Sequence, residues 1–174
     1  WMEDLAPWHQ TNHLEKFAKN SNVPLCTGED IYLAENFEKV MQAGVNVIHP
    51  DMLTIGGFME MKKVGAMCEK YGVALAIHMA ESPIGFMAAV HAAAALKNVL
   101  AVEFHSVDHP EWYELVNPII KLENGFMQVP DTPGLGIESL NEELIEKFRK
   151  ADCDEAWKDT SDWDKEWAND REWS

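Results

Sequence analysis

The chain has 174 residues and carries 30 Asp and Glu against 14 Lys and Arg, a net charge of −16. That excess argues against a protein that follows nucleic-acid phosphates, which requires Lys and Arg, and against attraction to anionic membranes. Hydrophobic residues make up 47% of the chain. They suffice for a core, but no apolar run approaches the roughly 20 residues that a membrane-spanning helix needs.

The three cysteines, Cys26, Cys68 and Cys153, are too few and too widely spaced for a disulfide framework or a zinc knuckle. We expect reduced thiols in a cytoplasmic protein, with Cys26 and Cys68 in the core. The sequence contains no Cys/His cluster that would favour a soft metal.

Short apolar runs and amphipathic stretches alternate over the first 104 residues. The chain opens as though at the end of a strand, and further strands are predicted at 23–27, 45–49, 73–78 and 100–104. Between them, apolar residues three or four positions apart predict helices over 11–20, 33–43, 57–71 and 83–96. Repeated units of this length indicate parallel strands joined by right-handed helical crossovers.

A carboxylate or an imidazole lies at the C-terminal end of each predicted strand or within two residues of it: Glu3, Glu29, Asp51, His78 and Glu103. The carboxyl ends of the strands carry the active site in a parallel barrel. A single acidic residue there is commonly a helix N-cap or a solvated loop charge. Five such groups in five successive units instead favour one shared site.

The rhythm ends after residue 104. A polar loop with a short aromatic helix is predicted over 106–117, an extended stretch with turns over 123–138, and an amphipathic helix over 140–150. The tail is acidic and contains Trp157, Trp163, Trp167 and Trp173, which indicates a loosely ordered appendage or a subunit contact. We divide the chain into a partial barrel (1–122), a C-terminal segment (123–150) and this tail (151–174).

Six motifs, in this order, resemble the enolase superfamily: WMED, PLCTGED, HPDMLTIGG, ALAIHMA, AVEFH and VPDTPGLGIE. The closer resemblance is to its mandelate racemase and muconate lactonizing enzyme branch, which includes acid-sugar dehydratases. It implies an α/β fold, the C-terminal part of a modified TIM (β/α) barrel from the end of strand four through strand eight. The capping domain and the first three strands would be absent from the chain, which is expected to be an incomplete fragment.

The resemblance also implies roles for the strand-end residues. Glu3 and Glu29 would be two of the three ligands of Mg²⁺, a hard cation that suits carboxylates. His78 would be the base and Asp51 the partner that orients it, while Glu103 would hydrogen-bond the substrate carboxylate or the enolate. His105 and Glu81 are expected to contact the substrate, whereas His49 is expected to pack.

These roles favour a lyase that removes the proton alpha to a carboxylate and dehydrates an aldonate or aldarate to a 2-keto-3-deoxy acid. A racemase or epimerase of the same superfamily is an alternative, and a non-catalytic member serving assembly is another. The expected partners are a sugar acid and further copies of the chain, in a dimer or octamer. The missing half would supply the second-strand base and the third metal ligand.

Overall fold

A computed structural model describes residues 1–105 and 111–149, and five parallel strands order the first part of it. Each strand pairs with the next along the chain, in the order β1-β2-β3-β4-β5. In the described residues, β1 and β5 are paired on one side only. The strands are β1 (Met2–Glu3), β2 (Leu25–Thr27), β3 (Val47–Ile48), β4 (Ala74–Ile77) and β5 (Val99–Val102).

The predicted α/β alternation is confirmed, with one helix between each pair of strands. The helices are α1 (Thr11–Asn20), α2 (Phe37–Gln42), α3 (Phe58–Tyr71) and α4 (Pro83–Ala94). The helix predicted over 33–43 starts later, because Leu33 has a positive φ of 60° and a 3₁₀ turn (Ala34–Asn36) precedes α2. Among the described residues, no helix has the length and apolarity needed to cross a membrane.

Alternation along the strands divides the buried residues between two faces of the sheet. Leu25, Ile48 and Leu75 belong to the larger core cluster under the helices. The opposite face carries a smaller cluster of Cys26, Val47 and Ala76, each nearly inaccessible to solvent. Both faces of the three central strands, β2 to β4, are therefore buried, as the continuous apolar runs predict, whereas Leu100 and Ala101 of β5 are exposed.

A second, smaller sheet joins the end of the predicted partial barrel (1–122) to the C-terminal segment (123–150). A 3₁₀ turn (Trp112–Leu115) leads into β6 (Val116–Asn117), which pairs antiparallel with β7 (Ser139–Leu140) ahead of α5 (Glu142–Phe148). In the C-terminal segment, Met127, Val129 and Ile137 pack against the cluster around Phe86 of α4. The division at residues 122 and 150 stays a prediction, and the predicted tail (151–174) lies outside the described residues, as does 106–110.

Gly28 follows β2 at a point where two backbones approach closely. Its φ is +144°, and a Cβ at this position would lie 3.1 Å from the His49 backbone nitrogen and 3.0 Å from Phe37 Cε1. The His49 N–H meanwhile donates to the Thr27 carbonyl at 3.0 Å. Glycine thus allows β2 and the end of β3 to stay in register where the polar side chains gather.

We expect Gly28→Ala to destabilise the protein by about 2–4 kcal/mol, because it combines an unfavourable φ with overpacking against backbone. Gly72→Ala is the matched control: Gly72 also has a positive φ, but a Cβ there meets nothing within 4 Å. Urea unfolding of both variants should show a loss at Gly72 of only about 1–2 kcal/mol. Equal losses would contradict the role given to the close approach.

Candidate active site

The five predicted strand-end residues converge at the carboxyl edge of the sheet. Parallel pairing forces this, since all five strands end at the same edge. Glu3 is the last residue of β1, His78 and Glu103 follow β4 and β5 directly, and Glu29 and Asp51 lie two and three residues beyond β2 and β3. The pairing continues past β3 and β4 as a parallel bridge between Asp51 and His78.

Asp51 and His78 form a fixed hydrogen-bonded pair. His78 Nδ1 lies 2.9 Å from Asp51 Oδ2, and the Asp51 side chain is only 1% exposed. The other oxygen, Oδ1, accepts from the backbone N–H groups of Leu53 at 2.6 Å and Thr54 at 3.0 Å. An acceptor held from three directions keeps the proton on His78 Nδ1 and turns Nε2 away from the pair.

The pKa values of the two groups are shifted apart, as expected of an ion pair. The hydrogen bond to Asp51 raises the pKa of His78 to about 9, although burial of the imidazole opposes this. Burial acts to raise the pKa of Asp51, but its hydrogen bonds, that of His78 foremost, hold the pKa below its usual value. Asp51 is therefore the carboxylate and His78 the titrating partner.

His78 Nε2 faces two further carboxylates. Glu29 Oε2 lies 3.5 Å away and Glu103 Oε2 lies 3.7 Å away. Glu103 is itself held by the backbone N–H of Met79, which donates to Oε2 at 3.0 Å. The reactive nitrogen of the imidazole thus points at the place where a substrate or cation between these carboxylates would lie.

Three carboxylates gather beside this pair. Glu3, Asp4 and Glu29 each offer an oxygen, and these oxygens lie within 4.8 Å of one another. Burial raises the pKa of Asp4 and of Glu29, and the neighbouring carboxylates raise both further. Thr27 Oγ1 donates to Asp4 Oδ1 at 2.6 Å and partly offsets this for Asp4. The nearby His78 likewise partly offsets the rise for Glu29. The cluster therefore has the oxygen donors and the incompletely compensated negative charge that a hard cation needs.

The sequence reasoning missed Asp4 as a member of this cluster. It directly follows Glu3, and adjacent residues of a regular strand point to opposite faces. Asp4 instead has a positive φ of 46°, which breaks the alternation at the strand end. Asp and Asn tolerate this conformation better than most residues. An Asp immediately after a strand-end Glu was the available signal.

His49, expected to pack, is buried at 5% exposure but lies within the site. Its ring meets that of His78 edge-on at 5.2 Å, and its Nε2 is 3.7 Å from Glu103 Oε2. Burial lowers the pKa of His49, so it is neutral near pH 7. Cys26 joins Glu3 and His49 within 4.8 Å, a grouping that the sequence spacing does not indicate. Burial raises the pKa of the Cys26 thiol, which makes it a poor metal ligand.

The two residues expected to contact substrate lie on the loops after β4 and β5. Glu81 lies beside the Asp51–His78 pair, and the three side chains offer atoms within 4.8 Å of one another. His105 lies two residues beyond Glu103, and its carbonyl accepts from Tyr113 Oη at 3.5 Å. Their contacts with substrate stay predictions.

Comparisons with known proteins point to one family. Residues 1–144 match the family described as enolase C-terminal domain-like. D-xylonate dehydratase of Haloferax volcanii is 33% identical, and the match covers 79% of this chain and 34% of that protein. D-galactonate dehydratase of Verminephrobacter eiseniae is 30% identical, and the match covers 88% of this chain and 41% of that protein. The crystal structure of mandelate racemase/muconate lactonizing enzyme from Jannaschia sp. CCS1 superimposes with a TM-score of 0.80 at 31% identity, over 86% of this chain and 38% of that one. The chain thus spans less than half the length of these relatives.

The negative charge of the carboxylate cluster should lower the melting temperature of the protein. Without divalent cations, we expect Glu29→Gln to melt at a higher temperature than the wild type near neutral pH, because Gln removes a half-buried charge beside Asp4. The pKa of Glu29 is raised from 4.5, so its destabilising effect grows as pH rises above that value. The increase in the melting temperature of Glu29→Gln over the wild type should vanish near pH 4.

The measurement is thermal unfolding in a chelator at several pH values. Glu123→Gln is the control, since Glu123 is exposed and lies outside the cluster. A Glu29→Gln variant that melts lower than the wild type at neutral pH would contradict the electrostatic account.

Proposed function

This chain belongs to the enolase C-terminal domain-like family, in whose barrel it is the C-terminal part, and we propose that this barrel dehydrates an acid sugar with the help of Mg²⁺. The observation that carries the proposal is the Asp51–His78 pair, whose Nε2 faces Glu29 and Glu103. An imidazole oriented by a buried carboxylate is suited to take and return a proton once a bound cation offsets the negative charge around it. Two relatives named as D-xylonate and D-galactonate dehydratases support the substrate class.

We propose that Glu3 and Glu29 hold Mg²⁺. Their oxygens and that of Asp4 lie within 4.8 Å of one another, and all three are the hard donors that Mg²⁺ prefers. When bound, Mg²⁺ supplies positive charge that stabilises the dianion formed on proton loss and offsets the carboxylates that favour protonated His78. Asp4 keeps its hydrogen bond with Thr27 and adds negative charge beside the two ligands.

The chain's own residues carry the proton. His78 Nε2 takes the proton from the carbon alpha to the carboxylate, while Asp51 holds the ring and stabilises the imidazolium that forms. His78 then returns a proton to the β-hydroxyl, so that the C–O bond breaks and water leaves. The remaining enol becomes the 2-keto-3-deoxy acid. Glu103 hydrogen-bonds the substrate carboxylate or the enolate that forms from it, which requires a proton on one of the two groups, and His105 contacts sugar hydroxyls.

We propose that residues outside these 174 complete the site. In the described part of the chain, β1 and β5 each have an unpaired edge, and closing the barrel requires further strands between them. Those strands would bring a second base and a third metal ligand, and the segment 123–150 would contact a capping domain.

We further propose a homo-oligomer, a dimer or an octamer. A cytoplasmic location is supported by the buried, free thiols of Cys26 and Cys68.

Two other functions give different results in the same assays. A racemase or epimerase would use the same pair, and the name of the Jannaschia structure favours it as the second candidate. It would exchange the alpha proton with solvent without forming a keto acid. A non-catalytic member serving assembly would do neither, although the residues at all five strand ends are chemically competent.

Magnesium binding by the complete protein should depend on Glu29. We expect Glu29→Gln to weaken Mg²⁺ binding at least about tenfold in isothermal titration calorimetry, because an amide oxygen replaces a charged ligand. Glu123→Gln should bind Mg²⁺ as the wild type does. Unchanged affinity in a folded Glu29→Gln variant would remove Glu29 from the proposed ligands.

Dehydration should depend on Asp51. We expect Asp51→Asn to lower kcat about 100-fold or more, because the amide neither stabilises the imidazolium nor fixes the tautomer as a carboxylate does. The assay measures keto acids as semicarbazones over a panel of aldonates and aldarates that includes D-xylonate and D-galactonate. Asp131→Asn, at an exposed position, should be as fast as the wild type.

The same panel, run in deuterated water, distinguishes the reactions. If the alpha proton exchanges but no keto acid forms, the protein is an epimerase or racemase and not a dehydratase. If neither exchange nor keto acid is detected with any acid sugar in the presence of Mg²⁺, the proposed function is wrong.

A further inference from the structure

The Glu81 carboxyl group lies against the Asp51–His78 pair and has a buried oxygen without a hydrogen-bond donor. Oε2 of Glu81 is inaccessible to solvent, and no donor among the described residues reaches it. The group beside it is another carboxyl, that of Asp51: the side chains of Glu81, Asp51 and His78 offer atoms within 4.8 Å of one another, which brings the two carboxyls within reach of a mutual hydrogen bond. Two carboxylates cannot make that bond, since both would be acceptors.

A hydrogen bond between the two carboxyls therefore requires a proton on one of them, and the surrounding contacts favour one over the other. Asp51 already accepts from His78 Nδ1 and from the N–H groups of Leu53 and Thr54. Three donors stabilise its ionised form, and a protonated Asp51 would face them with reduced acceptor capacity. The buried oxygen of Glu81 has no such donor, so the proton belongs on Glu81.

We propose that Glu81 is a positioning residue whose protonated carboxyl donates a hydrogen bond to Asp51 and holds that carboxylate in place against His78. Asp51 is then held by a fourth donor, one that adds no charge to the site. The protonation follows from the closeness of the two carboxyls and the donorless oxygen of Glu81, whereas its effect on catalysis rests on the proposed function. Glu81 acts through Asp51 in this assignment, rather than by the substrate contact expected from its sequence position.

The surroundings of Glu81 fit this role. The titratable groups that face it are Asp51, His78 and Glu103, from the loops after β3, β4 and β5. Burial, followed by the contact with Asp51, raises the pKa of Glu81 to about 7. The backbone is fixed on both sides, because Trp112 Nε1 donates to the Glu81 carbonyl at 3.1 Å and Ser82 caps α4. A held backbone keeps the carboxyl against Asp51.

Infrared spectroscopy of the complete protein with Mg²⁺ tests the protonation. A protonated carboxyl absorbs at a C=O stretching frequency separate from that of carboxylates, and the spectra are compared near pH 6, where free glutamates are ionised. Glu81→Gln should remove one such band, and Glu123→Gln should remove none. An unchanged band in the Glu81→Gln spectrum would show that Glu81 is ionised and would overturn the proposal.

The partner of that proton is tested with Asp51→Asn. The Glu81 band should shift or disappear in this variant, because the amide is a weaker acceptor and removes the negative charge that retains the proton. A Glu81 band that stays at the same frequency would show that the proton is not donated to Asp51, and would overturn the positioning role. Neither infrared comparison depends on what reaction the protein catalyses.

Kinetics test the consequence. Glu81→Leu should lower kcat at least about tenfold with little change in KM, and Glu81→Gln should recover most of that loss, because its amide N–H can donate to Asp51. Equal losses in the two variants would overturn positioning by donation, as would a loss confined to KM. A wild type inactive on every acid sugar would overturn the proposed function instead, and the infrared comparisons would still decide the state of Glu81.

Discussion

The site depends on the parallel pairing of five strands, which brings their carboxyl ends to one edge of the sheet. Parallel order leaves no choice about where the residues after each strand gather. Glu3, Glu29, Asp51, His78 and Glu103 come from five separate units of the sequence, yet they form one connected group. The close approach at Gly28 and the bridge between Asp51 and His78 extend that order a few residues beyond the ladder.

Such convergence concentrates like charge, and the residues deal with it in different ways. Asp51 is stabilised by donors on both oxygens and pairs with an imidazole. Glu29 and Asp4 are only partly compensated, which leaves their pKa values raised by burial and by each other. Glu81 avoids a further charge if it keeps its proton. Glu29 is a proposed ligand of the cation and Asp4 lies beside the ligands, so the charge that favours cation binding there opposes stability.

Much of the fold and part of the site could be predicted from the sequence. Strand runs, helical spacing and strand-end carboxylates are local patterns, and they correctly indicated the α/β order and the edge where the polar residues meet. The positive φ of Asp4 and that of Leu33 depend on tertiary packing, so strand alternation and helical spacing misled there. His49 and Glu81 could not be assigned because their surroundings come from neighbouring units. Only the structure shows that the His49 ring meets the His78 ring edge-on and that a Glu81 oxygen lacks a donor.

The hydrogen bond from the Met79 N–H to Glu103 couples the position of the proposed base to that of the carboxylate opposite it. Met79 is bonded directly to His78, so the peptide that presents the imidazole is also the peptide that anchors the carboxylate across from it. A loop after β5 reshaped for a different ligand would move Glu103, and through this peptide it would move His78 as well. We therefore expect the β4 and β5 ends to change together among relatives. Differences in ligand should come mainly from side chains outside the pair, such as those supplied by other parts of the barrel.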